Sequence, residues 1–205
     1  MLLKCLGLVL LGCLAPLESA AQAKSSSEYA TLVAQLQSGK TDIDYARLRL
    51  SYMDSPEYEH ARDTTDSEKA MLTAFAKRDF ATAMQEAEKV LASDYVNIEA
   101  HFVDSLANRQ AGNEQQAEFH HIVFRGLIDS IRKSGDGKST KTAWVVITVH
   151  EEYVFLQVLK YQISEQSLIG ENGHSYDKMK VKSPDDGSEQ TFYFNADIPM
   201  KHGGV

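Results

Sequence analysis

The sequence predicts an α+β protein in which helices come first and a small sheet follows. Apolar residues recur at helical spacing between residues 29 and 134, and after Gly135 the pattern changes to short runs of β-branched and aromatic residues. We therefore expect tetratricopeptide-like helical hairpins in residues 24–134. Residues 135–205 should form a small, mainly antiparallel β-sheet with one helix, packed on those hairpins.

The charge balance argues against one class of partner. The chain has 205 residues, with 29 Asp and Glu against 21 Lys and Arg, which gives a formal net charge of -8. A surface that follows nucleic-acid phosphates needs an excess of Lys and Arg on one face. We therefore expect no nucleic acid among the partners of this chain.

Residues 1–23 have the three parts of a secretory signal. Lys4 supplies a positive charge, residues 5–17 form an apolar run, and Ala21 and Ala23 form a small-residue exit. The run is too short to span a bilayer. We predict cleavage after Ala23 and a periplasmic or secreted protein.

An alternative interpretation is that Cys13 ends a lipobox and is acylated, which would anchor the protein to a membrane. Contact with a membrane is expected only in that case. Cys5 and Cys13 both lie within the predicted signal, so the mature chain would have no cysteine. That composition argues against thiol catalysis and against zinc sites built on cysteine.

The first helices are predicted from their end signals. Ser27 is placed as the N-cap of the first helix. The helical spacing of apolar residues that follows Ser27 stops at Gly39. A second helix should start near Asp44 and end before Ser55 and Pro56.

A repeated segment predicts two helical hairpins. Residues 78–87 recur as residues 112–121, so that Ala83 is matched by Ala117, 34 residues later. This period is typical of tetratricopeptide hairpins, in which a small residue lets two helices approach closely.

The first helix of each hairpin departs from that repeat, because polar residues such as His101, Asp104 and Asn108 occupy slots for large apolar ones. The large apolar residues lie one position away from the slots that the repeat reserves for them. We call them the apolar stripe: Leu72, Phe75, Phe102 and Leu106, with Arg109 at its end. The stripe is either a groove for a peptide or protein partner, or the surface against which the sheet packs.

The C-terminal pattern predicts the sheet. Residues 143–149 read as a buried strand, residues 151–160 as a short helix, residues 176–182 as an alternating strand and residues 191–194 as its return strand. The tail from Pro199 is expected to be loose.

Seven short segments, spread over nearly the whole mature chain, carry a family likeness: Asp44–Tyr52, Gly112–Ala117, Ser134–Lys138, Glu151–Tyr153, Gln166–Leu168, Asn172–Asp177 and Tyr193–Asn195. Their order resembles the domain of unknown function 4919 family of exported bacterial proteins. The resemblance implies a bacterial cell-envelope protein and brings no established activity with it.

Two motifs are better explained by structure than by ligands. Residues 135–139 are similar to the end of a phosphate-binding P-loop, but Arg132 stands where that motif needs glycine, so we expect Gly135 to end a helix in a left-handed turn. His120 and His121, with His101 and Glu118, are candidate metal ligands. Adjacent histidines on a helix point about 100° apart, so no metal and no cofactor are expected.

One cluster has the residue types of acid–base catalysis. Glu151 and Glu152 precede a segment that contains His174 and Asp177, and an imidazole beside carboxylates can move protons. The structural alternative is that His174 begins a strand after the Asn172–Gly173 turn and that the glutamates favour a helix N-terminus.

The function expected from these observations is non-enzymatic binding of another envelope protein or peptide, for which an inhibitor or immunity protein is one form. Leu72, Phe75, Phe102, Leu106 and Arg109 are the expected binding residues. The alternative is a periplasmic hydrolase that uses His174 with Asp177 or Glu151.

Overall fold

The computed structural model describes residues 27–61 and 63–203. The predicted signal segment, the cleavage after Ala23 and the alternative lipid anchor at Cys13 all lie outside these residues. Within the described ranges, no helix combines the length and the apolar character needed to cross a bilayer.

The helices of the described residues come mostly before the sheet. They are α1 (Glu28–Gln37), α2 (Tyr45–Met53), α3 (Pro56–Glu59), α4 (Thr65–Ala76), α5 (Phe80–Ser93), α6 (Ile98–Gln110), α7 (Glu114–Arg132), α8 (Val149–Val158) and α9 (Asp197–Lys201). The strands are β1 (Trp144–Val145), β2 (Gln162–Glu171), β3 (His174–Lys182) and β4 (Glu189–Asn195), and a 3-10 turn spans Thr140–Thr142.

Local capping explains where α1 and α2 begin. The Ser27 hydroxyl accepts a hydrogen bond from the Ala30 amide at 3.0 Å, and the Asp44 carboxylate accepts from the amides of Ala46 and Arg47, each at 3.0 Å. Gly39 follows α1 with φ +86°, a conformation that favours glycine. The two predicted helices are confirmed.

Helices α4 to α7 form the centre of the helical region. Each packs against the next along the chain, and α4 also contacts α6. Ala83 of α5 and Ala117 of α7 are fully buried, as the repeated alanine predicts. Small side chains at these positions let neighbouring helices approach closely.

The sheet has the strand order β1-β4-β3-β2. β2 pairs with β3 and β3 with β4 in antiparallel fashion, whereas β1 runs parallel to β4. The predicted α+β class is confirmed, with one parallel pairing in a mainly antiparallel sheet. Leu168, Asp177 and Phe194 lie opposite one another on adjacent strands, so their side chains share one face.

Three local predictions in the C-terminal region are wrong. The strand expected over residues 143–149 is only two residues long, because the Thr148 hydroxyl caps α8 by accepting from the Glu151 amide at 3.2 Å. The tail expected to be loose from Pro199 onward instead begins inside α9, which ends at Lys201. Gly135 was expected to adopt the left-handed turn after α7, but the residue that does so is Gly137, with φ +68°. The missing side chain of Gly137 leaves room for the Trp144 ring.

A single cluster of buried hydrophobic residues extends from the helices into the sheet. In the C-terminal region the Trp144 ring lies 4.8 Å from the rings of Phe155 and Phe192 and 5.3 Å from that of Phe194. The two regions of the chain therefore share one core.

Candidate functional site

A buried polar face on α6 is the first candidate site. His101, Asp104 and Asn108 follow one another at spacings of three and four residues, so they share one side of the helix. All three are buried, and His120 of α7 is buried beside them. We call these four residues the histidine network.

The network is a chain of hydrogen-bonding groups. His101 Nε2 lies 3.0 Å from the carbonyl oxygen of Tyr95, and the Nδ1 atoms of His101 and His120 are 2.9 Å apart. His120 Nε2 lies 3.2 Å from Asp104 Oδ2, and Asn108 Nδ2 donates to Asp104 Oδ1 at 2.7 Å. A fixed carbonyl therefore anchors one end and a carboxyl group the other.

These contacts fix where the protons must be. A carbonyl only accepts, so His101 Nε2 donates to Tyr95 and the neutral His101 ring accepts at Nδ1. His120 Nδ1 must then donate to His101, which leaves Nε2 of a neutral His120 without a proton. The contact with Asp104 therefore needs one proton, held either by the carboxyl group or by the ring.

Burial sets the acidities along this chain. It lowers the pKa of His101 to about 3, with help from neighbouring His120, and it lowers the pKa of His120 to about 4. Burial, together with the charge of Glu88, raises the pKa of Asp104 to about 6. Between about pH 4 and pH 6 the network thus favours neutral imidazoles and a proton on the Asp104 carboxyl group.

The network opens on a cleft of about 580 Å³ between α5, α6 and α7. Asp104, Asn108 and His120 line one side, and the other lining residues include several amides: Gln37, Gln85, Asn113 and Gln116. Such groups can form hydrogen bonds with a polar ligand and can exchange one proton with it.

Sequence reasoning missed this site for an identifiable reason. In the sequence the polar residues of α6 are a poor match to a helical repeat, although their spacing of three and four residues predicts a shared helix face. His101 and His120 were considered only as metal ligands. Within residues 27–61 and 63–203, no group of three or more His, Cys, Asp or Glu side chains is arranged to hold a metal ion.

The apolar stripe lies on the outside of the helical region. Leu72 and Phe102 are exposed, at 38% and 39% of their surface, and Phe75 and Leu106 are half-buried. The Phe102 ring lies 6.5 Å from that of Phe75 and 5.3 Å from that of Phe124 in α7. The sheet therefore does not cover Leu72 and Phe102, so these two residues are not part of the core.

Arg109 lies near the C-terminal end of α6, one helical turn beyond Leu106. Its guanidinium is 4.0 Å from the Glu118 carboxylate, and both side chains are exposed. The stripe thus has an apolar centre and a charged rim, which is the usual arrangement of a protein interface.

The three residues of the hydrolase alternative do not meet. His174 is exposed, and its Nδ1 lies 2.6 Å from the carboxylate of Asp197. Asp177 lies on the opposite face of β3 and is buried beside Glu152, whereas Glu151 is paired with Arg49. The carboxylate partner of His174 is a residue that the sequence analysis did not select.

Comparison with known proteins gives one match. A family model described as a domain of unknown function (DUF4919) matches residues 17–202 of the chain. The searches of curated proteins and of solved structures each gave no match.

Proposed function

Because the chain belongs to the DUF4919 family, whose description names no activity, we propose a function from its surface: it is an exported binding protein whose protein or peptide partner docks on the apolar stripe. The observation that carries this proposal is the exposure of Phe102 between Phe75 and Phe124. Export is proposed from the charged, apolar and small-residue parts of residues 1–23.

The stripe has the features of a binding hot spot. An exposed aromatic side chain that is already held between two other rings loses little freedom when a partner covers it. Leu72 and Leu106 extend the apolar surface along α4 and α6, and neighbouring Arg109 and Glu118 supply one charge of each sign. The mixed rim favours a protein segment with apolar anchors over a nucleic acid.

A pair of matched variants tests this proposal. Phe102→Glu places a charge in the centre of the stripe, and Leu50→Glu places the same charge on α2 at a side chain of similar exposure, 41%. Proteins captured from envelope extract by the wild type and by Leu50→Glu, and lost with Phe102→Glu, support the proposal. Equal capture by all three chains would overturn it.

Two further measurements complete the test. Arg109→Ala should also weaken capture, because arginine is a common anchor at interfaces. Sedimentation of the purified chain separates a partner from a second copy of the chain: a dimer that Phe102→Glu dissociates would assign the stripe to self-association, which contradicts the proposal.

A further inference from the structure

A second cleft lies between α8, α9 and the face of the sheet that carries Leu168 and Asp177. Its volume is about 440 Å³, and we call it the α8 cleft. Tyr153, Leu168 and Met200 line it, and each of them has between 41% and 52% of its surface exposed. Among the described residues, these are three of the six large hydrophobic side chains with high exposure, so apolar surface is concentrated here.

A carboxyl group lies in this apolar cleft. Asp177 lines it and is itself only 5% exposed. Because Asp177 is paired with Leu168 in the sheet register, the two side chains lie next to each other on the same face. The cleft therefore combines exposed apolar side chains with one buried acid, and Gln166 and Ser167 are its other polar lining residues.

Glu152 lies beside Asp177 and has no exposed surface. Neither of its carboxyl oxygens has a hydrogen bond of ordinary geometry among the described residues, but the Asp177 carboxylate is close enough to share a proton with it. Burial raises the pKa of Glu152 to about 9, and the charge of Asp177, a hydrogen bond shared with its carboxylate and the charge of Glu151 act in the same direction. Arg49 does not offset the negative charges around Glu152, because its guanidinium is paired with Glu151.

A buried acid whose polar neighbour is another carboxyl group is a costly feature for a protein to keep, because the two groups cannot both ionise. A positively charged group in the α8 cleft would remove that cost, because it would offset the charge of Asp177 and let Glu152 ionise. The walls formed by Tyr153, Leu168 and Met200 would cover an apolar chain attached to that group.

We propose that the α8 cleft binds a primary ammonium group on an apolar chain, with Asp177 as its acceptor and Glu152 as the acid that loses its proton. The ammonium keeps its three protons and donates hydrogen bonds to Asp177. The proton of Glu152 passes to the solvent, so binding at neutral pH releases up to about one proton for each ligand. This site is separate from the apolar stripe and does not depend on the function proposed for it.

Titration calorimetry of the chain with n-hexylamine at pH 7 tests the proposal. Repeating it in buffers of different ionisation enthalpy counts the protons released. We expect saturable binding with proton release, no comparable binding of n-hexanol, and about a tenfold or greater loss of affinity in Asp177→Asn. Glu152→Gln should abolish the proton release, whereas Glu165→Gln, which changes an exposed carboxylate on β2, should leave both quantities unchanged.

The ammonium can come from a free amine or from a lysine side chain. A short peptide with one lysine between leucines, compared with its acetyl-lysine form, separates these sources. Binding of either probe with proton release supports the site. Failure of both probes, equal binding of n-hexanol, or unchanged proton release in Glu152→Gln would overturn it, whatever happens at the apolar stripe.

Discussion

Arg49 in α2 and Glu151 in α8 form a two-point ion pair across 102 positions of the chain: Nε donates to Oε1 at 2.8 Å and Nη2 to Oε2 at 2.5 Å. Arg49 also donates to the Ser130 hydroxyl and to the Val145 carbonyl oxygen, each at 3.1 Å. Glu151 accepts from the Ile147 amide at 2.8 Å. The pair therefore connects two helices of the N-terminal region to the start of the sheet.

Removing one member of this pair should strongly destabilise the fold. Arg49→Leu leaves the Glu151 carboxylate buried without its cation, which costs about 3 to 5 kcal/mol of unfolding free energy. Arg47→Leu is the matched control, because Arg47 lies on the same helix and pairs with Glu28 in solvent. We expect urea unfolding to show a loss below about 1 kcal/mol for that control.

The double variant Arg49→Leu with Glu151→Leu adds a second check. Replacing both charges removes the unpaired group, so part of the lost stability should return. Equal losses for Arg49→Leu and Arg47→Leu would contradict a structural role for the buried pair.

Elements whose signals are local could be predicted from the sequence. Ser27, Gly39 and Asp44 cap or end their helices through atoms only a few residues away, so their residue types carry the information. The short β1 was missed because an apolar β-branched run does not show where a threonine will cap a helix. Thr148 does so here.

Pairings between distant segments could not be predicted. Nothing in the sequence joins Arg49 to Glu151, or His174 to Asp197, because charged and polar residues have many alternative partners in an unaligned chain. For the histidine network the helix-face spacing of His101 and Asp104 was visible, but the contact with His120 depends on how α6 packs on α7.

Enlarging either repeated alanine should overpack the helical region. Ala83 and Ala117 have no exposed surface, so a phenylalanine at either position must displace neighbouring helices. We expect a loss of about 1 to 3 kcal/mol or more in unfolding free energy. Ala81→Phe on the exposed side of α5 is the control. Unchanged melting temperatures for Ala83→Phe and Ala117→Phe would contradict close helix packing at the repeat.

The histidine network should make the fold sensitive to acid. The folded-state pKa values of His101 and His120, about 3 and 4, lie below the ordinary 6.5, so the unfolded chain binds protons more readily. Their contribution to stability is present above pH 6.5 and is lost as the pH falls toward 4. Asp104, whose pKa is raised to about 6, opposes only part of this loss.

Urea unfolding at pH 7 and pH 5 measures this effect. The drop in unfolding free energy should be smaller in His101→Gln than in the wild type, and His121→Gln should behave like the wild type. Imidazole NMR titration of the wild type gives an independent check, because midpoints near 6.5 for both rings would refute burial of neutral histidines.

Glu152 should have the opposite pH dependence. Its folded-state pKa of about 9 lies above the ordinary 4.5, so between these values the folded chain holds a proton that the unfolded chain has lost. Its contribution to stability is therefore present below pH 4.5 and is lost as the pH rises toward 9, by at most about 1.4 kcal/mol for each pH unit. Glu152→Gln keeps the shape of the neutral acid and cannot ionise, so it should be more stable than the wild type at pH 8.

The size of this advantage should grow with pH. Half-buried Asp94, whose pKa desolvation raises to about 7, acts in the same direction. Only the difference between Glu152→Gln and the wild type therefore isolates the effect of Glu152. Glu165→Gln is the control, since it changes an exposed carboxylate. Urea unfolding at pH 5, 6.5 and 8 gives the three differences. A difference for Glu152→Gln that stays constant over this range would show that Glu152 already carries its charge in the folded protein.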